Sequence, residues 1–108
     1  MPIENSKPVL LLGIDLEDVR EHIPNGMNYR DRLETNTQVI LQALEYWGVS
    51  ATFFTVGSVA RRYPSLLRDI ALAGHEIAAH GDTHTQLTKL DPNQMEADLA
   101  RNLDALSV

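Results

Sequence analysis

The sequence has no cysteine, and this absence excludes several kinds of functional site. A protein without cysteine has no disulfide bonds, no thiolate nucleophile and no metal site with cysteine ligands. Long apolar runs are also missing. Even runs such as Val9 to Leu12 are far shorter than the roughly 20 residues that a membrane-spanning helix needs. We therefore expect neither cysteine-based chemistry nor a membrane span.

Basic residues are in the minority. The chain has 9 Lys+Arg against 15 Asp+Glu, which gives a formal net charge of −6. Because nucleic acids and anionic membranes require a basic face, we expect neither as the main partner. The N-terminus also lacks a secretory signal, since Glu4 and Asn5 replace the usual basic region and Asp15 interrupts the apolar segment. These features predict an acidic, soluble protein that is cytoplasmic unless a leader has been removed.

The chain is long enough for one domain and too short for two. Its 108 residues are 44% hydrophobic, a share that is ordinary for a globular protein and argues against disorder. The sequence therefore predicts a single folded unit or a part of one.

Three predicted strands alternate with helices along the chain. The apolar segment Val9–Asp15 predicts a strand buried on both faces. The segment Val49–Val56 is rich in β-branched and aromatic residues and predicts a second strand, and His75–Ala79 predicts a short third one. Strands that alternate with helices pair in parallel through right-handed crossovers, so the sequence predicts an α/β fold of β-α-β-α-β-α units.

The first two connections each contain a predicted helix. The first helix begins around Thr35, whose spacing to Gln38 is that of a capping box, and it ends at Gly48. A short helical turn, Ser58–Arg62, and a helix over Pro64–Ala73 follow the second strand.

The last predicted helix opens with a capping pair, Asp91 and Gln94. Its apolar residues recur at helical spacing, as on a helix that packs one stripe against a core. These residues are Met95, Leu99, Leu103 and Leu106.

Polar side chains follow the first and third predicted strands. Residues 15–18 read Asp-Leu-Glu-Asp and residues 80–84 read His-Gly-Asp-Thr-His. In parallel α/β folds the carboxyl ends of the strands share one edge, so we expect these groups to converge. Two imidazoles and one carboxylate form a facial metal site with open positions, and a second carboxylate could accept a proton from water on the metal. The pattern thus provides the components of a metal-assisted hydrolase.

Other histidines and basic residues receive structural interpretations. His75 is expected to pack or cap at a helix–strand turn, and His22 is expected to be exposed in a long loop, with the alternative that it reaches the site. Arg61, Arg62 and Lys89 are interpreted as charges in solvent or at the rim of the site, and no role is assigned to them.

Two segments resemble a known family. Residues 51–57 (Ala-Thr-Phe-Phe-Thr-Val-Gly) and 74–84 (Gly-His-Glu-Ile-Ala-Ala-His-Gly-Asp-Thr-His), with the helix opened by Asp91-Pro92, resemble the polysaccharide deacetylases. These are the NodB-homology enzymes of carbohydrate esterase family 4. The resemblance runs from about Leu10 to Leu103. It implies a distorted (β/α) barrel that removes N-acetyl (or O-acetyl) groups from a glycan or glycan precursor with a divalent metal, commonly zinc.

The resemblance also implies roles for individual residues. Asp15 corresponds to the catalytic base, and His80 and His84 correspond to metal ligands. The third ligand stays open, because the Asp-Leu-Glu-Asp segment matches the Asp-x-Glu-Asp variant of some members instead of the commoner pair of adjacent aspartates. Strand alternation favours Glu17, on the same side as Asp15, whereas a turn directly after the strand favours Asp18. We carry both residues and prefer Asp18.

The later motifs of the family cannot be placed in this sequence. They supply an arginine that holds the base, a backbone donor for the oxyanion, an acetyl pocket and a histidine that acts as general acid. A barrel of this type needs roughly 200–250 residues. We therefore expect residues 1–108 to be the N-terminal part of a NodB-homology domain, inactive alone and able to self-associate through open sheet edges. The alternatives are an imide or ureide hydrolase on the same scaffold and a non-catalytic half-barrel.

Overall fold

Three parallel strands form a sheet in the order β1-β2-β3, which confirms the predicted α/β class. The structure, a computed structural model, describes residues 7–107. Glu4 and Asn5, on which the prediction about a secretory signal depends, lie outside the described residues. The strands are β1 (Gly13–Leu16), β2 (Thr52–Thr55) and β3 (Glu76–Ala79).

Helices follow each strand, as the alternating pattern predicts. They are α1 (Leu33–Trp47), α2 (Gly57–Arg62), α3 (Pro64–Leu72) and α4 (Pro92–Leu106), with short 3-10 turns at Val19–Glu21, Gly26–Asn28 and Leu87–Lys89. In the part of the chain that the structure describes, none of the helices has the length and hydrophobicity to cross a membrane.

The first strand is shorter than predicted and begins later. The prediction of a strand over Val9–Asp15, buried on both faces, is wrong, because Val9–Leu11 lies outside the strand and is 84–89% exposed. The neighbouring strands explain this difference. Strand β2 begins at Thr52, in register with Gly13, so within the described part of the chain no strand lies beside the residues before Gly13.

Helix α1 begins at Leu33, two residues before the predicted start. The capping box at Thr35 is not used, because the Asp31 carboxylate already accepts a hydrogen bond from the Leu33 N–H at 3.1 Å. The predicted end at Gly48 is confirmed. A carboxylate that caps the first amide therefore adds half a turn to this helix.

The hydrophobic core lies between one face of the sheet and helices α1 to α3. Its buried members are Leu16, Leu41, Leu44, Ala51, Phe53, Val56, Val59, Ala60, Leu66, Leu67 and Ile70. Side chains alternate along a strand, so the residues between these core positions face the other way. On that opposite face Gly13, Asp15 and Phe54 are exposed. We call it the open face.

Helix α4 packs in a different orientation from the one predicted. Its capping box at Asp91 and Gln94 is confirmed, but of the apolar stripe only Leu106 packs against the core. Leu99 and Leu103 are about half exposed, at 50% and 51%, whereas Asn102 is completely buried. Helix α4 lies against α2 and β3, next to backbone amides that need hydrogen-bond acceptors, so polar side chains occupy the contact.

A buried carboxylate ties the loop after β1 to helix α2. Asp18 is 6% exposed, and its Oδ2 lies 2.7 Å from Nη2 of both Arg20 and Arg62. The Arg20 backbone N–H also donates to Asp18 Oδ1 at 3.0 Å. The Arg20 guanidinium, with Arg62, holds the pKa of Asp18 well below its usual range. Arg62, to which the sequence assigned no role, is therefore a structural partner of this loop.

Replacing Asp18 with asparagine is expected to lower the free energy of unfolding by about 2–3 kcal/mol at pH 7, because two partly buried guanidiniums lose their counter-charge. The lowered pKa sets the pH dependence. The contribution is complete at neutral pH and declines as the pH falls below about 3.9, the pKa of an unfolded aspartate, toward the folded-state value.

Urea unfolding of the wild type and of Asp18→Asn, at pH 7 and at successively lower pH, measures this effect. The matched control is Asp104→Asn, an exposed aspartate on α4, for which a change below about 0.5 kcal/mol is expected. A loss at Asp18 no larger than the control's would contradict the stabilising role of the ion pair.

Candidate functional site

The strand register brings the two polar segments together. In the sheet Leu16 is aligned with Thr55, and Thr55 with Ala79, so the three strands end at the same level. Glu17 and His80 are the first residues after the outer two strands. Parallel pairing therefore places a carboxylate and an imidazole at the same edge, as the sequence predicts.

Three side chains converge at this edge. Glu17 Oε2 lies 3.0 Å from His84 Nε2 and 3.5 Å from His80 Nε2. One potential ligand atom from each of the three residues lies within 4.8 Å of the other two. We refer to this group as the Glu17–His80–His84 cluster.

The cluster has the chemistry of a divalent cation site. Glu17 Oε2 and His80 Nε2 are buried, and neither has a hydrogen-bond partner among the residues that the structure describes. Buried polar atoms nearly always have partners, and a bound cation would satisfy these two. One carboxylate and two imidazoles are donors that zinc and related cations accept. The residues present therefore fit a metal ion.

Asp18, which the sequence analysis preferred as third ligand, does not lie in this cluster. Strand β1 continues through Leu16, so alternation places Glu17 on the same side as Asp15. The Asp18 carboxylate is bound by Arg20 and Arg62 instead. The structure thus brings Glu17 to the histidines and directs Asp18 to the arginines.

Asp15 lies beside the cluster on the open face. Its Oδ2 is 3.8 Å from His80 Nε2, and its side chain is 59% exposed. The carboxylate is therefore close to the ligand atoms and still accessible to water. This is the arrangement that a general base requires, because the base must be within reach of the proton that it removes.

The segment between the two histidines is fastened to helix α2. The Gly57 N–H donates to the Gly81 carbonyl at 3.0 Å, and the buried Asp82 carboxylate accepts from Arg61 at 2.7 Å. A Cβ on Gly57 would lie 2.2 Å from Asp82 Oδ1, so this approach requires glycine. Arg61, like Arg62, has a partner that its sequence context did not indicate.

His22 is exposed, as predicted, but it also reaches the site. Its ring centroid is 5.3 Å from that of His84, which is in turn 4.8 Å from that of His80. Nothing in the loop sequence indicates this proximity, because it depends on how the loop folds back after Asp18. Asp98 and Asn102 on α4 were also missed, although two polar residues spaced four apart beside an apolar stripe were a usable signal.

Comparison with known proteins agrees with the family resemblance seen in the sequence. The family model for polysaccharide deacetylase matches residues 22–108. The chitooligosaccharide deacetylase of Rhizobium leguminosarum bv. trifolii is 36% identical over 70 residues, which cover 65% of this chain and 33% of that protein. A peptidoglycan-N-acetylglucosamine deacetylase of Bacillus cereus is 31% identical over 71 residues, which cover 66% of this chain and 26% of that protein.

A solved structure extends the similarity to nearly the whole chain. The family 4 carbohydrate esterase from Streptomyces lividans, in complex with acetate, superposes with a TM-score of 0.71 and is 32% identical. The match covers 91% of this chain and 43% of that one, and the chain spans about a third or less of the curated relatives named above. The parallel sheet and its helices correspond to part of the (β/α) barrel of that family. With a family model that matches most of its length, this chain belongs to the polysaccharide deacetylase family.

Proposed function

We propose that this chain forms the metal-binding half of an enzyme that removes acetyl groups from an N-acetylated (or O-acetylated) carbohydrate. The observation that carries the proposal is the Glu17–His80–His84 cluster, in which two buried ligand atoms have no hydrogen-bond partner within residues 7–107. The relatives supply the substrate class. Two of them are deacetylases of chitooligosaccharide and of peptidoglycan N-acetylglucosamine, and the structural relative holds acetate, the acid that deacetylation releases.

Glu17, His80 and His84 are the proposed metal ligands, and zinc is the expected metal. When bound there, a divalent cation supplies a Lewis acid for the acetyl carbonyl and lowers the pKa of water. Three protein ligands leave further positions open, as in other catalytic sites of this type. Glu17 is favoured over Asp18 because two guanidiniums already neutralise the Asp18 carboxylate.

Asp15 is the proposed general base. Its exposed carboxylate lies next to His80 and accepts the proton of the attacking water as the water adds to the acetyl carbon. Because Asp15 precedes Glu17 by two residues on the same strand, the base and one ligand are held on a single rigid element.

The remaining steps need groups outside residues 1–108 in this proposal. The leaving sugar amine must be protonated, and the oxyanion needs a hydrogen-bond donor. The cluster residues cannot supply these groups, because they are the proposed metal ligands. We propose that the chain is the N-terminal part of a NodB-homology domain and that these 108 residues alone bind metal without turnover. A longer polypeptide that completes the barrel would carry the activity.

The metal ligands can be tested on the chain itself by titration with zinc against a chromophoric chelator. His80→Ala, His84→Ala and Glu17→Gln are each expected to lower zinc affinity by roughly 100-fold or more, because a site with two ligands left is inadequate. Asp18→Asn is the control, and its affinity is expected to stay within about threefold of the wild type under conditions where it is folded. Stoichiometric zinc in both histidine variants would refute the site, and a loss at Asp18 equal to that at Glu17 would refute the choice of ligand.

The base is tested in a polypeptide that contains the complete catalytic domain. Asp15→Asn is expected to reduce acetate release from an acetylated chitooligosaccharide by about 10²–10⁴-fold, the usual contribution of a general base. Zinc affinity should change little, because Asp15 is outside the cluster. Asp104→Asn serves as the exposed control.

The same assay separates the proposed reaction from its alternative. Wild-type enzyme that hydrolyses a cyclic imide but releases no acetate from acetylated sugars would overturn the deacetylase proposal. Full activity in Asp15→Asn would overturn the role of Asp15 alone.

A further inference from the structure

The segment that carries both histidines has an unusual backbone. Gly81 has φ +79° and His84 has φ +58°, which places both in the left-handed region. Glycine enters this region freely, whereas histidine does so at a steric cost. Such conformations persist only where the surrounding structure enforces them. Neighbouring residues must therefore hold this segment in place.

Asn102 provides the first constraint. Its side chain is completely buried, and its Oδ1 accepts a hydrogen bond from the His80 N–H at 2.9 Å. Its Nδ2 donates to the Thr55 carbonyl at 3.1 Å. Strand pairing stops at Thr55 and Ala79, so the Asn102 amide bridges the two strands directly beyond their last pair. The backbone position of His80 is thereby set by a side chain of α4.

Asp98, one turn earlier on α4, provides the second constraint. Its Oδ2 accepts from the Asp82 N–H at 3.1 Å, and its side chain is buried. On the other side of the segment, the Ser58 N–H donates to the Asp82 carbonyl at 2.9 Å. The segment is thus held between α4 and the start of α2.

The residues that α4 buries against the histidine segment are polar. Leu99 and Leu103 on the same helix remain about half exposed, while Asp98 and Asn102 are buried. Burying an amide or a carboxylate is unfavourable unless each polar atom is paired, so the burial of Asp98 and Asn102 depends on the backbone groups that they bind. Here the buried side chains serve the backbone of the histidine segment.

We propose that Asn102 and Asp98 are positioning residues that act through the backbone of residues 80–82. They hold the imidazoles of His80 and His84 at the spacing needed to bind one cation together with Glu17. The hydrogen bonds of both side chains go to backbone groups and not to the ligand atoms. The significance for metal binding rests on the proposed function, but the geometry of the imidazole pair does not.

The first test compares Asn102→Leu with Asn93→Leu, the same substitution at an exposed position of the same helix. In metal-free protein, the nuclear Overhauser contact between the His80 and His84 rings, whose centroids lie 4.8 Å apart, is expected to disappear only in Asn102→Leu. Zinc affinity of that variant is expected to fall by about 10–100-fold, the usual effect of losing a group that orients a ligand.

A second test compares two substitutions of Asp98, one that removes the hydrogen-bond acceptor and one that keeps it. Asp98→Leu removes the acceptor for the Asp82 N–H, whereas Asp98→Asn keeps an oxygen at the same place. We expect the ring contact and the zinc affinity to be lost in the first variant and restored in the second. This pair also carries the test if Asn102→Leu does not fold.

The outcomes separate this inference from the proposed function. Folded Asn102→Leu and Asp98→Leu variants that keep both the ring contact and wild-type zinc affinity would overturn the positioning role. A wild type that binds no zinc, but loses the ring contact in these variants, would support the positioning role and overturn the metal site.

Discussion

The parallel register of the three strands is the constraint on which the site depends. All three strands end at the same level, so the residues that follow β1 and β3 meet at one edge. Side chains alternate along a strand, and a slip of one residue would exchange the two faces. Asp15 would then point into the core, and Leu16 would lie on the open face. The burial of Leu16 against the helices thus fixes where the acidic residues point.

Three acidic residues within four positions have three different environments. Asp15 is exposed to water, Glu17 contacts two histidines, and Asp18 is buried between two arginines. Strand alternation places Asp15 and Glu17 on the face opposite Leu16. The guanidiniums of Arg20 and Arg62 determine the environment of Asp18. The same ion pair fastens the loop after β1 to α2, so the residues next to Glu17 are held by charge as well as by strand pairing.

Helix α4 shows how a site imposes a departure from simple amphipathic packing. Leu99 and Leu103 are half exposed, and its buried polar contacts include the hydrogen bonds of Asp98 and Asn102 to the backbone of the histidine segment. Local rules are commonly broken where function requires it, and the cost is met by packing elsewhere.

The sequence by itself determined the element order, the parallel α/β class, the C-terminal end of α1 and the polar composition of both strand ends. These follow from local physics, namely hydrophobic periodicity, capping and the β propensity of residues such as Phe53. It did not determine where β1 begins, which face of α4 is buried, or whether Glu17 or Asp18 joins the histidines. Those depend on partners distant in the chain: Thr52 for the strand, the His80 amide for the helix and Arg62 for the carboxylate. Only the tertiary structure decides them, because a side chain takes the environment that its neighbours in space provide.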